Sequence, residues 1–271
     1  MTPASQGDPG HVWQPYAGGN LRGAWTLYRK EVLRFAKIAI QTVAAPLTTT
    51  LLFLAIFALA LGGDARTIGG VPYVQFLAPG LVMMTMVQNA FANTSSSLVI
   101  AKVQGTFVDL LMPPLSAGAL TSAIALAGLT RGLVVGAAVG IVMACLVPMP
   151  VADPVAVVFH AAAGSLMLAL IGILTGLWAE KFDHTAAVTN FVVTPLSFLS
   201  GTFYSAERLP PEWAFVAHLN PFFYMIDGFR AGFIGHADGD LAVGYAALTA
   251  AVVALWALCH HLFRIGYKLK A

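Results

Sequence analysis

The sequence predicts an all-α integral membrane protein: six transmembrane helices, an N-terminal amphipathic interfacial helix, and a re-entrant helical hairpin before the last span. Three observations predict it. The 271 residues are 58% hydrophobic and only 10% charged, where soluble domains carry roughly 25% charged residues. Apolar runs approaching the roughly 20 residues that a helical crossing needs recur along the chain. The stretch Pro195 to Gly235 is too apolar for a solvated loop, yet prolines and glycines break it into pieces too short to cross.

Residues 1–20 are polar and rich in Gly and Pro, without the basic and apolar regions of a signal peptide, and read as a disordered tail. Over 21–39, Leu21, Trp25, Tyr28, Val32, Phe35 and Ala39 recur at steps of four and three, one face of a helix. Arg22, Arg29, Lys30, Arg34 and Lys37 take mostly other positions, a layout suited to the lipid headgroup region, with the aromatic face down.

Six spans follow, within 42–263. They cover about 42–61, 72–92, 120–147, 155–179, 186–199 and 241–263. The second runs into a polar end, Asn93 to Ser97. The fifth is short and holds Pro195, so its outer half must lean on protein rather than lipid. The third carries Gly128, Gly132, Gly136 and Gly140 on one helix face. That row predicts close helix packing; a surface that slides during transport is the second reading. Between the second and third spans, Phe107, Leu110 and Leu111 form one apolar turn before Pro113 and Pro114. A short helix parallel to the membrane there would present Val108, Leu111 or Met112 to a partner.

Orientation follows from the basic residues. With the N-terminus inside, the cytoplasmic side receives eleven of the 14 Lys and Arg, leaving outside only Arg66, Arg208 and Arg230. By the positive-inside rule both termini are cytoplasmic and 195–235 faces outward.

Little catalytic chemistry is encoded. Nothing resembles HExxH, no lysine follows a glycine, and Cys145 and Cys259 sit apart in apolar runs. A metal enzyme, a phosphate-binding loop and a disulfide framework are therefore not supported, and no dense Lys/Arg run suggests nucleic acid. If nucleotide energy is used, another chain must bind the nucleotide. Only Arg131 falls within a span, where it could instead mark the inner end. The spans hold no Asp or Glu near their middle, which counts against an ion-coupled secondary carrier.

The motifs Pro195-Leu-Ser, Gly201-Thr-Phe-Tyr, Leu209-Pro-Pro-Glu-Trp, His218-Leu-Asn-Pro and Asp227-Gly-Phe-Arg, in this order, resemble the permease subunit of ABC type 2 exporters. That family includes bacterial polysaccharide, nodulation-factor and drug export permeases. Gly105-Thr106, Leu110-Leu111 and Pro114-Leu115-Ser116 are similar to its coupling segment. The resemblance implies a domain over 21–271 in the bacterial inner membrane. It implies two copies of an ABC ATP-binding subunit, which bind ATP and Mg, and a second permease copy in a homodimer; this chain itself binds no cofactor.

Several sites follow from the resemblance. Within the coupling segment 101–116, Gly105, Thr106, Asp109, Leu110, Leu111 and Pro114 would meet the ATPase. Within the re-entrant segment 200–235, Gly201, Phe203, Tyr204, Pro211, Asn220, Pro221, Asp227 and Arg230 would cap the exit, Asp227 pairing with Arg230. Gln88, Asn89, Asn93 and Ser95 would line the pathway, or else satisfy one another between helices. An ion-coupled carrier and a non-transporting membrane assembly protein are the rival readings.

Overall fold

The computed structural model describes residues 20–61, 67–68, 70–205 and 220–268; Pro211, most of the predicted tail and the first arm of the predicted hairpin lie outside them. Helix α1 (Leu21–Ala36) is capped by Asn20, whose Oδ1 accepts the Gly23 N–H at 2.8 Å. After a break at Lys37 comes α2 (Ala39–Leu61). A two-residue antiparallel pairing, β1 (Thr67–Ile68) with β2 (Val71–Pro72), then leads into α3 (Tyr73–Val103). The short α4 (Phe107–Leu111) precedes α5 (Ala117–Leu146) and α6 (Pro154–Trp178). Then come α7 (Phe182–Val188) and α8 (Thr194–Ser197), each followed by a π-helical turn, Thr189–Val193 and Phe198–Thr202. Helices α9 (Pro221–Ile234) and α10 (Leu241–Ile265) complete the described chain. Ser116, Asp153, Asn220 and Asp240 cap α5, α6, α9 and α10 by accepting first-turn N–H groups.

Among the described residues five helices, α2, α3, α5, α6 and α10, are long and apolar enough to cross a membrane. The expected fifth span is helical over a longer run, 182–202, but in four pieces. Pro195 supplies no N–H to the ladder, and the wider π turns flank it. The second predicted span extends past its polar end. Thr94 and Ser95 hydroxyls bond the Phe91 carbonyl and Ser96 bonds that of Asn93, so these side chains are satisfied without ending α3.

Helix α3 is the axis of the bundle, packed along α5 on one side and α6 on the other. The glycine row makes this possible. A Cβ at Gly132 would stand 2.9 Å from the Met86 carbonyl oxygen, and one at Gly172 would stand 2.6 Å from that of Phe91. Backbones therefore touch, and Thr94 Oγ1 donates across the contact to the Ala169 carbonyl at 2.7 Å. The packing reading of the row is the one the structure bears out at Gly128, Gly132 and Gly136. At Gly140 a Cβ would meet only Val82, at 3.7 Å.

One end of the bundle gathers residue 20, α4, the end of α6 and residue 268. The other gathers the β pair, the α5–α6 connection and the end of α9. Two apolar clusters fill the interior. One surrounds the first half of α3 with α9; the other joins α1, α4, α5, α6 and α10 near the first end.

On helix α1 the face packed on protein is not the apolar aromatic one. The helix packs along α5, with Leu27, Glu31 and Phe35 buried, while Trp25 remains 63% exposed. The buried stripe is rotated away from Leu21 and Trp25 because Tyr28 reaches across to Thr130, hydroxyl to hydroxyl at 2.9 Å, and Glu31 turns inward to pair with Arg34. Of the two readings of Arg131, the structure takes the first: it lies halfway along α5, level with Ser165 in the middle of α6, rather than at a helix end.

The glycine contacts carry a prediction. Gly172→Ala should destabilise the protein by about 1–3 kcal/mol through overpacking against backbone, read as a lower thermal midpoint in detergent. Gly140→Ala should be neutral or stabilising by up to about 1 kcal/mol, since alanine favours helix.

Candidate functional site

Three places hold the predicted residues. The first is the connection between α3 and α5. Gly105 adopts φ +69° with open space where a Cβ would stand, and the chain turns there into α4. Phe107 and Leu110 are buried against the body, whereas Val108, Asp109 and Met112 face outward, with Thr106 and Pro114 also exposed. Leu110, expected among the partner-facing residues, thus holds the segment from behind. Lys102 secures its start: Nζ donates to the carbonyls of Leu177 and Ala179 at the end of α6 and lies 5.7 Å from the Phe107 ring centroid. A cation at a helix C-terminus meets the negative end of the helix dipole. Lys268 grips the same end, 3.3 Å from the Trp178 carbonyl oxygen and 2.9 Å from Glu180. That hydrogen bond holds the Glu180 carboxyl below the ordinary carboxylate range.

The second place is the segment 200–235 as far as it is described. Gly201, at φ +79°, ends the 182–202 helical run. Phe203 stacks on Phe57 of α2 with ring centroids 4.6 Å apart, and its carbonyl accepts from the Tyr73 hydroxyl at 3.0 Å. Tyr204 donates to the Leu199 carbonyl. Asn220 caps α9 and donates Nδ2 to Ser200 Oγ at 3.0 Å, tying the start of α9 to the end of that run; Pro221 takes the first helical position, where its missing N–H costs nothing. Helix α9 climbs from beside Met83 and Gly164 to Ala152, with Gly228 against the His160 ring and Gly232 against the Val157 backbone.

Asp227 and Arg230 do not form the direct pair expected from their spacing. Arg230 is 1% exposed; Nε donates to the Phe76 carbonyl at 3.1 Å, Nη2 donates to that of Gly201, and the guanidinium lies 3.7 Å from the Phe76 ring centroid. Asp227 accepts the N–H groups of Asp238 and Gly239 at 3.0 and 2.9 Å. Each charge meets backbone dipoles of a different neighbour, and together they fasten α9 to α3, to Gly201 and to the turn before α10.

The third place is a groove of about 390 Å³ between α2, α3 and α8, lined by Thr49, Thr50, Thr85, Gln88 and Asn89 with Phe53 and Phe198. Thr50 and Thr85 share a hydrogen bond of 2.7 Å. Of the four predicted lining residues, Gln88 and Asn89 line it. Ser95 is buried against α6 with its hydroxyl on its own helix, and Asn93 is buried beneath Arg34, which donates to its carbonyl and Oδ1 at 2.8 and 3.1 Å. A larger groove, about 660 Å³, lies between α1, α5 and α10, but its lining is chiefly apolar. Sequence reasoning missed Glu31: its carboxylate is buried beside Arg34, which itself reaches α3. The absence of an acid from the spans therefore says less against ion coupling than expected. Its signal was a glutamate three residues before an arginine on the helix face turned toward the body.

Residues 22–234 match the family described as ABC-2 type transporter. The chain belongs to that family. The resemblance read from the motifs is borne out, and α4, Gly201, Arg230 and the polar groove lie inside the matched region of this ABC-2 transporter. Over 246 residues the chain is 37% identical to the inner membrane transport permease YadH of Escherichia coli K12, covering 91% of this chain and 96% of that one. It is 25% identical to nodulation protein J of Neorhizobium galegae over 228 residues, 84% and 87% of the two chains. Against nodulation protein J of Sinorhizobium fredii it is 25% identical over 245 residues, 88% and 92%.

Arg230 generates the prediction for this ABC-2 transporter. Arg230→Met should cost about 2–4 kcal/mol, since two buried carbonyls lose a charged donor. Arg230→Lys should recover only part, because a point charge cannot reproduce the planar fork. Chemical denaturation of the purified protein checks both.

Proposed function

We propose that this chain is the permease subunit of an ATP-driven exporter in the bacterial inner membrane, moving a glycan, lipid-linked or hydrophobic substrate outward. The observation that carries this is α4. Its apolar side is anchored in the body while Val108, Asp109 and Met112 stand exposed at the end that also carries residues 20 and 268. The family match and the transport-permease relative support the same reading. In it, that end is cytoplasmic and two ABC ATP-binding subunits, holding ATP and Mg, press on 101–116. The 182–202 run serves as a sixth crossing, and α9 is the second arm of a re-entrant cap. A second copy of the chain faces the groove between α2, α3 and α8, so that the substrate passes between the two permeases.

The reading makes two measurable demands. In proteoliposomes with the cognate ATPase, Asp109→Arg should lower ATP-dependent export about tenfold, equivalent to about 1.4 kcal/mol, with the thermal midpoint unchanged. Export by this chain alone that collapsed with an ion gradient would sink the proposal.

Gly201→Val should impair export while leaving the ATPase bound. Its φ of +79° places a β-branched residue in the left-handed region, at a cost of about 1–2 kcal/mol. Release of the ATPase by this change would contradict the cap.

A further inference from the structure

Midway along the bundle, Arg34 of α1 and Arg131 of α5 converge on Asn93 and Asn89 of α3. Among the described residues, Glu31 is the one carboxylate paired with either arginine, and it is already engaged by Arg34 Nε at 3.0 Å. Two guanidiniums against one carboxylate leave one positive charge in excess. Donors outnumber acceptors as well. Arg131 Nε and Asn93 Nδ2 are buried without an acceptor, and the hydrogen bond from Arg131 to Asn89 Oδ1 is long, 3.4 Å. Asn93 is fully buried. Buried donors of this kind normally find a partner, because leaving one unpaired costs about 1–3 kcal/mol.

What satisfies such a set is an anion made only of acceptors. We propose that this cluster binds the phosphate group of an amphiphilic molecule in the membrane. A tetrahedral phosphate presents acceptor oxygens in three directions, toward two guanidiniums and an amide that come from different helices, whereas a carboxylate presents two oxygens in one plane. The cluster is reached at its edges, while Arg131 Nε and Asn93 Nδ2 themselves are enclosed. Arg34 keeps 30% of its side-chain surface exposed, and Asn89 lines the polar groove. The cluster is level with the middle of α6, where a fixed positive charge is costly unless met by a counter-charge. That the phosphate belongs to a molecule in transit rests on the groove being the pathway; the binding itself does not.

The test is therefore made on the full chain alone, in dodecyl maltoside micelles, which contain no phosphate, and needs neither ATPase nor transport. Dodecyl phosphate should raise the thermal midpoint by several degrees and broaden its own phosphorus resonance, while dodecanol should not. Arg131→Gln should weaken the effect about tenfold or more, the loss of one charge-assisted hydrogen bond. Arg131→Lys should retain part of it. Asn93→Asp should abolish it and raise the midpoint without ligand, because its carboxylate supplies the missing acceptor from within.

Equal shifts in wild type, R131Q and N93D, or no phosphate-dependent shift at all, would overturn the proposal. The source is read from two further arms. A shift of the same size with phosphatidylglycerol marks a bilayer lipid as occupant, and one with inorganic phosphate shows that the head group suffices. A shift confined to dodecyl phosphate marks a single-tailed membrane-borne ester.

Discussion

Everything in this bundle depends on how closely α3 can be approached. Helices in lipid gain nothing from hiding apolar surface, so association rests on van der Waals contact and on hydrogen bonds between helices. Gly128, Gly132, Gly172 and Gly176 let α5 and α6 come to within contact of the α3 backbone. That closeness lets the Thr94 hydroxyl bridge to Ala169. The polar run that follows Ala92 is tolerated for the same reason: inside a three-helix slab its hydroxyls bond carbonyls instead of meeting lipid.

The junction between the 182–202 run and α9 is held by a different device. Where the 182–202 run ends and α9 begins, carbonyls and N–H groups lose their helical partners, and the membrane offers no water to replace them. Arg230 serves the Phe76 and Gly201 carbonyls, Asp227 serves two N–H groups, and Asn220 links the start of α9 to Ser200. The charges are thus spent on irregular backbone, which explains why two oppositely charged residues three apart on one helix do not pair.

Much of this was legible in the sequence. Five spans could be found from apolar length alone, and the motifs of 195–235 led to the family. What was not legible depended on neighbours. The period of α1 gave an apolar face, but Tyr28 and Glu31 found partners that rotated the buried stripe. Pro195 announced a break, but the compensating π turns are set by what lies alongside. Gln88 and Ser95 look alike as polar residues of one span; only the fold tells that the first meets a groove and the second meets Gly176. Arg131 could not be placed because helix ends are blurred in a run rich in Gly and Ala.

The two lysines on the end of α6 have a mechanical consequence. Lys102 is the last charged residue before α4, and it fastens the foot of α3 to the foot of α6, which Lys268 also clasps. If ATPase subunits press on α4, the load reaches α3 and α6 together. Helices α2 and α10 are the least enclosed of the five long helices, and α2 with the π-interrupted run beside it walls the polar groove.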